Sequence, residues 1–459
     1  VSVHGILSAT LAVTVLGCAV PAVAPRAPTA PGKAPVDGRT AADSGGVASA
    51  PRLTYRSTPQ VERVLAAMSR LRGLPAKHPV PCEEVSRAEL LDRVKAHVER
   101  DVPAAAVRAE GLVQKLLGTF PTDGDYEAET YRLLEGQLAG FYEPEDGTMY
   151  VARDLHAPEA ADTLAHELVH ALQDQHWDLR ARSRYAAGQD DRSSAAAALA
   201  EGDATSAMED QRLSREPRSR SAAAESDASR TDEAEAEEIP PGLRRALVAP
   251  YIDGARFVNA LRRRGGWAAV DDAWARPPET TEQVLHPDKW QTGEGALPVP
   301  PPPAPPSEPQ LAHLESNTFG EQGLRLAFEA WMPPAAARAA ATGWGGDRAS
   351  LFGHADSSVA LMWHVRFDDA APEPSDAFAA RAFAALRESL PRLGHIAAAS
   401  AASLCVERPG NGVVSIRRDG RDLFLAFGTT TTLPGGWLAR MTCAEARAWA
   451  DATRDAANR

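Results

Sequence analysis

Two histidines and a glutamate at HExxH spacing are the residues of this chain best suited to chemistry: His166, Glu167 and His170, within LAHELVHALQDQHWDL at 164–179. On a helix advancing about 100° per residue, positions four apart point within about 40° of each other, so both imidazoles reach one metal ion from one face. Two neutral imidazole nitrogens suit Zn²⁺, and the carboxylate between them suits a general base that takes a proton from a water polarised at the metal. The implied chemistry is peptide-bond hydrolysis. The bland alternative is a solvated helix face carrying two unrelated histidines, since a chance HExxH arises in a chain of 459 residues with 12 His at a rate on the order of a few per cent. Context favours the metal: Leu164, Leu168, Ala171 and Leu172 recur at helical spacing and form an apolar stripe beside the polar triplet, with Asp162 and Thr163 as start signals.

A catalytic zinc site uses three protein ligands and keeps one position open, so one ligand remains to be found. His176 follows His170 by six residues, as in the extended HExxHxxGxxH pattern. Gln173 stands where that pattern has Gly, and a continuous helix swings His176 about 120° away from His170. Glu201, in AAAALAEGDATSAMED, is the stronger candidate. A carboxylate inside a long Ala-rich helical segment is untypical of a solvated face, and a Glu on a following helix completes a gluzincin-like set. Asp203 and Asp174 are candidate outer partners that orient a ligand histidine.

These segments carry a resemblance. HELVHALQDQHWDL together with ALAEGDAT resembles the gluzincin-type, thermolysin-like zinc metallopeptidase domain of a group of bacterial and archaeal envelope proteins, many of them read as lipoproteins. QLAGFYEPEDGTMYV (137–151), the stretch 250–290 and GWGGDR (343–348) are similar to segments of the same group, so the likeness covers about two thirds of the chain. It implies zinc held by His166, His170 and Glu201, Glu167 as base, and a peptide or protein substrate of unspecified sequence.

Outside the zinc helix, His286 in TTEQVLHPDKW is a candidate second electrophile that would stabilise an oxyanion opposite the metal; its plainer reading is a structural hydrogen-bond partner. Glu282 is a weaker candidate ligand. EPEDG between two apolar runs predicts a hairpin over 137–151 with Asp146-Gly147 at its turn, beside which Tyr142 or Tyr150 would approach the cleft or simply pack.

Spacing and composition predict an α+β protein: a mostly helical zincin-like domain over 53–296 with a small strand hairpin, and a smaller α+β region over 310–459. Amphipathic helices from 59 to 117 read as the flank of the catalytic domain, with a prodomain or cleft cover as the rival reading. Residues 212–238, rich in Ser, Arg, Asp and Glu, read as a mobile acidic insertion, and the Pro-rich stretch 297–309 as a linker. GWGGDR reads as a Gly-rich turn without the strand–turn–helix setting of a phosphate loop. A net charge of −13 without a sustained basic run excludes a nucleic-acid partner.

The first residues form an apolar stretch ending in Val15-Leu16-Gly17-Cys18, which reads as an export signal with a lipobox at 1–18, followed by a tether at 19–52. No Lys or Arg precedes the apolar core, and a soluble secreted form cut near Ala24 is the alternative. The expected place is the cell envelope, with a lipid anchor at Cys18, and in that oxidising compartment Cys405 and Cys443 can pair. The expected function is zinc-dependent endopeptidase activity. Its rival is a zinc-stabilised envelope lipoprotein without turnover that acts as a binding or assembly factor.

Overall fold

The computed structural model describes residues 58–155, 157–215, 241–354, 357–410, 412–433 and 436–459. The expected leader with Cys18, the tether and all but the first few residues of the acidic insertion lie outside them. The fold is α+β, as the patterning predicts.

The amphipathic repeats near the start become α1 (Pro59–Arg72), α2 (Arg87–Asp101) and α3 (Ala104–Leu117), with β1 (Cys82–Val85) after the first. Local chemistry sets their ends. Thr58 accepts from the Val61 amide and Ser86 forms a capping box with Glu89, while Gly73 closes α1 in the left-handed conformation. After α4 (Tyr126–Gln137) comes the predicted hairpin, β2 (Gly140–Glu143) and β3 (Thr148–Ala152), with Gly147 at φ 68° in its turn. β1 joins β3 in parallel, giving a three-stranded sheet of order β1-β3-β2.

The HExxH segment lies in α5 (Ala157–Trp177), which starts earlier than Asp162 and Thr163 suggested; both lie inside it, and Thr163 is buried. Tertiary packing overrides the local start signal, because residues 163–173 are enclosed without a break. The short α6 (Leu179–Arg182) leads to α7 (Asp190–Arg215), which includes residues 212–215 that composition had assigned to the insertion. Next are α8 (Pro241–Ala275), kinked at Gly265 and Gly266, α9 (Thr281–Leu285) and α10 (Pro287–Thr292).

The helix α1 packs into the core through its C-terminal end. Arg72, fully buried at its C-terminal end, pairs with Asp203 of α7 at 2.5 Å and Asp271 of α8 at 2.7 Å, and its guanidinium lies over the rings of Trp267 and Trp177. Removing one partner from so buried a pair costs about 3–5 kcal/mol.

The C-terminal region begins with β4 (Ala312–Asn317), α11 (Gly320–Glu329) and α12 (Pro334–Ala341). Then come β5 (Trp344–Gly353), β6 (Ser358–Phe367), α13 (Ala377–Ser389), β7 (His395–Ala399), β8 (Ser403–Arg408), β9 (Gly412–Asp419), β10 (Asp422–Leu433), β11 (Gly436–Ala439) and α14 (Cys443–Ala457). The strands form one antiparallel sheet, β4-β5-β6-β10-β9-β8-β7, with β11 on β10. α13 packs on one face and α14 on the other. The Cys405–Cys443 disulfide, with Cα atoms 5.9 Å apart, ties β8 to the start of α14.

One expectation needs correction here. GWGGDR is the entrance and first half of strand β5, since only Gly343 turns, at φ 87°. The Pro-rich stretch 297–309 is irregular chain held at two points: the Leu297 amide donates to the Gly345 carbonyl at 2.6 Å, and the Trp449 indole donates to the Pro303 carbonyl at 2.7 Å. The hydrophobic core also crosses that boundary, because Val113, Leu116 and Leu117 of α3 pack with Phe328, Trp331 and Phe427.

Candidate metal centre

Helices α5 and α7 bring His166, His170 and Glu201 together from opposite sides. His166 Nε2 lies 3.0 Å from Glu201 Oε2, His170 Nε2 lies 3.5 Å from the same oxygen, and the two imidazole Nε2 atoms are 3.1 Å apart. Among the described residues these three form one of two groups of potential ligands close enough to share an ion.

The sequence EGD positions the carboxylate through three separate contacts. Glu201 faces the histidines. Gly202 lies against Gly254 of α8, where a Cβ on either would overlap the other helix's backbone, so the absence of side chains lets α7 and α8 cross at that point. Asp203 points the other way, to Arg72 and to the Trp274 indole at 2.8 Å. It therefore anchors α7 and does not touch a ligand histidine. Asp174 is likewise elsewhere, accepting from the Tyr142 hydroxyl and the Leu179 amide at 2.9 Å each.

The side chain that orients His170 is Gln173, which stands where the extended zinc pattern has Gly. Its Nε2 donates to the Ala200 carbonyl at 3.0 Å, which leaves Oε1 to accept from His170 Nδ1 at 2.8 Å. With the His170 proton on Nδ1, a neutral ring presents a lone pair at Nε2, toward His166 and Glu201. His166 Nε2, His170 Nε2 and Glu201 Oε2 thus converge, and Glu201 Oε1 is buried with no hydrogen-bond partner. A divalent cation fits such a donor set, two imidazoles and a carboxylate.

Glu167 stands beside the cluster. Its Oε2 accepts from the Tyr142 amide of β2 at 2.9 Å, while Oε1 is buried without a partner. This is the chemical contribution of the hairpin: Tyr142 acts through its backbone, and its hydroxyl and that of Tyr150 are bound to Asp174 and Asp146. The Tyr251 ring of α8 lies 5.9 Å from that of His166. All four polar side chains are at most 3 % exposed.

Burial in turn sets the protonation of this cluster. Burial pushes the Glu167 carboxyl up to about 8, aided by the Glu201 charge and opposed by His170 and the Tyr142 amide. Burial also disfavours charge on His170, but the Glu201 and Glu167 carboxylates outweigh it and raise the ring to about 9. For Glu201 burial works against ionisation, yet the two histidines hold it below the usual carboxylate range. His166 is lowered, chiefly by burial. A positive charge between these groups is what the carboxylates favour.

The other candidates lie apart from this centre. α5 continues straight through Gln173, and His176 Nε2 binds the Pro75 carbonyl at 2.9 Å, so it is not the third ligand in this arrangement. His286 Nε2 is bound to both carboxylate oxygens of Glu321, at 3.0 and 2.9 Å, and lines a cavity shared with none of the cluster residues. The structure places it as the hydrogen-bond partner of Glu321, not beside His166, His170 and Glu201. Glu282, with Glu294 and Asp368, forms the second acidic group, but Lys289 Nζ already sits among them, at 2.7 Å from Glu282 and 2.6 Å from Glu294, and also bonded to Asp368. An ammonium fills the place a metal would take.

Similarity to known families lies outside this centre. A family model described as a domain of unknown function (DUF8575) matches residues 309–434, most of the C-terminal sheet. No curated protein and no solved structure matches the chain.

Proposed function

We propose that this protein is a zinc-dependent metallopeptidase of the gluzincin type, exported to the bacterial cell envelope and held there by a lipid anchor at Cys18. The observation that carries the reading is the convergence of His166 Nε2, His170 Nε2 and Glu201 Oε2 beside a Glu167 carboxylate with one unpartnered oxygen. His166, His170 and Glu201 would hold a zinc ion, which would supply a Lewis acid for a peptide carbonyl and for a water. Glu167 takes the proton of the attacking water at Oε1 and returns it to the leaving nitrogen, while the Tyr142 amide fixes its other oxygen. Gln173 holds the tautomer of His170. The disulfide Cys405–Cys443 supports an oxidising compartment. No helix among the described residues is long and apolar enough to cross a membrane.

A second reading, a zinc-stabilised envelope protein without turnover, is favoured by one observation: the burial of all four polar side chains, which leaves a substrate no contact with Glu167 until the covering chain moves. The experiment is to measure zinc in the purified protein and to incubate it with a diverse peptide library, with and without chelator, beside Glu167→Gln. Peptidase activity predicts chelator-sensitive cleavage that falls by about 10² or more in Glu167→Gln while zinc is retained. Undiminished cleavage by that variant overturns the proposal, and zinc without any cleavage by the unaltered protein selects the second reading.

A further inference from the structure

On the other side of α8 from the metal centre lies a cavity of about 370 Å³ that the proposed chemistry does not use. It is built where α8, the α9–α10 junction, α11 and α12 meet. Tyr251, which faces His166, and the cavity residues Arg256, Ala260 and Arg263 share α8. At about 100° per residue they lie roughly 120–180° around the helix from Tyr251, so an occupant of the cavity is not a peptide bound at the metal.

The lining separates charge from apolar surface. Phe257 and Val284 are buried in its wall. Four arginines, Arg256, Arg263, Arg325 and Arg338, face two carboxylates. Both carboxylates are already engaged: Asp253 accepts from Arg325 Nη2 at 2.7 Å and from Gln322 at 2.9 Å, and Glu321 holds His286. Arg256, Arg263 and Arg338 are exposed at the rim. Arg256 reaches Asp253 only at 3.5 Å, and Arg263 and Arg338 make no salt bridge among the described residues. In a chain of net charge −13, this is a local excess of cations above an apolar pocket.

Four guanidinium groups around one cavity, against two carboxylates that are already engaged, match the planar oxygens of a carboxylate or phosphate. The apolar wall beneath them suits a hydrocarbon body, and the volume is more than twice the ~150 Å³ that accommodates a benzene ring. We propose that this cavity binds a small amphiphilic organic anion, its carboxylate or phosphate head on Arg256 and Arg263 and its apolar body against Phe257 and Val284. His286 of the same wall is held by Glu321, whose carboxylate favours its protonated form.

The test is calorimetric titration of the purified full chain at constant ionic strength with 1-naphthyl phosphate, 1-naphthoate, 1-naphthol and inorganic phosphate. Naphthyl phosphate or naphthoate should bind at least tenfold more tightly than naphthol and inorganic phosphate, and whichever of the two is tighter identifies the head group. Arg256→Gln combined with Arg263→Gln, both exposed and outside the core, should weaken that binding tenfold or more while zinc content stays unchanged. Ala260→Phe, which fills the pocket without altering charge, should weaken the naphthyl anions and leave inorganic phosphate as before. Equal affinity in the double arginine variant, or no saturable binding of either naphthyl anion at millimolar concentration, overturns the proposal. Zinc binding and peptide cleavage are read separately, so failure here leaves the metal centre untouched.

Discussion

The Nδ1–H of His170 donates to Oε1 of Gln173, three residues further along the same helix, and Gln173 is itself fixed by the Ala200 carbonyl one residue before Glu201. One amide side chain therefore sets the tautomer of one ligand and ties α5 to the helix that bears another. Gln173→Ala should lower zinc affinity by about 10–100-fold, and Gln173→Glu, which keeps an acceptor for Nδ1, should recover part of it. Zinc titration against a competing chelator measures both; wild-type affinity in the alanine variant would remove the orienting role.

The choice of third ligand predicts opposite behaviour for two residues. Glu201→Ala should bring zinc content close to zero, since it leaves two imidazoles and no carboxylate. His176→Ala should leave metal and turnover nearly intact, because its ring binds the Pro75 carbonyl away from the cluster. Zinc loss in His176→Ala with retention in Glu201→Ala would transfer the ligand role.

Gly254→Ala tests how the carboxylate is positioned. The added Cβ would overlap the Ala198 carbonyl oxygen, forcing α7 and α8 apart at the level of Glu201. A loss of stability of about 1–3 kcal/mol or more is expected, with weaker zinc binding. Denaturant unfolding and metal analysis report the two effects; a variant unchanged in both would mean that the helices do not cross as closely as described.

A pH dependence is expected outside the candidate metal centre, at Asp191. This residue of α7 accepts from the Thr281 amide at 2.8 Å and from its hydroxyl at 2.5 Å, and its amide donates to the Thr318 carbonyl at 3.0 Å, joining the helical part to the C-terminal region. Burial pushes its carboxyl up to about 7, with the Thr281 hydrogen bonds pulling down and the Asp347 and Glu321 charges adding to the rise. Between the unfolded value of about 4 and the folded value the native state holds the extra proton, so stability falls as pH rises through that window. Asp191→Asn, neutral throughout, should remove this component, worth on the order of 1–4 kcal/mol between pH 4 and 7. Chemical denaturation of both proteins across that range checks it; parallel stability profiles would show that Asp191 ionises normally.

The residues that stand at the metal centre were legible in the chain because their information is local. His166, Glu167 and His170 share one helical turn, and a 3.6-residue period is enough to put both rings on one side. The hairpin at Gly147 was legible for the same reason, through period two and turn chemistry. Glu201 was found by its setting, a carboxylate inside an apolar helix, but its distance from His166 depends on Gly202 meeting Gly254, two positions more than fifty residues apart whose relation no local pattern records. The partners of the outer acids were out of reach likewise: Asp203 turned to Arg72, Asp174 to Tyr142, and Gln173 took the orienting place, because each choice is made by which helix packs against which. His286 illustrates the converse, a residue of suitable chemistry that tertiary packing gave to Glu321. Spacing along one element decided what the chain can ligate; the crossing of α5, α7 and α8 decided which carboxylate completes the set, since contacts between distant segments exist only once the core has closed around them.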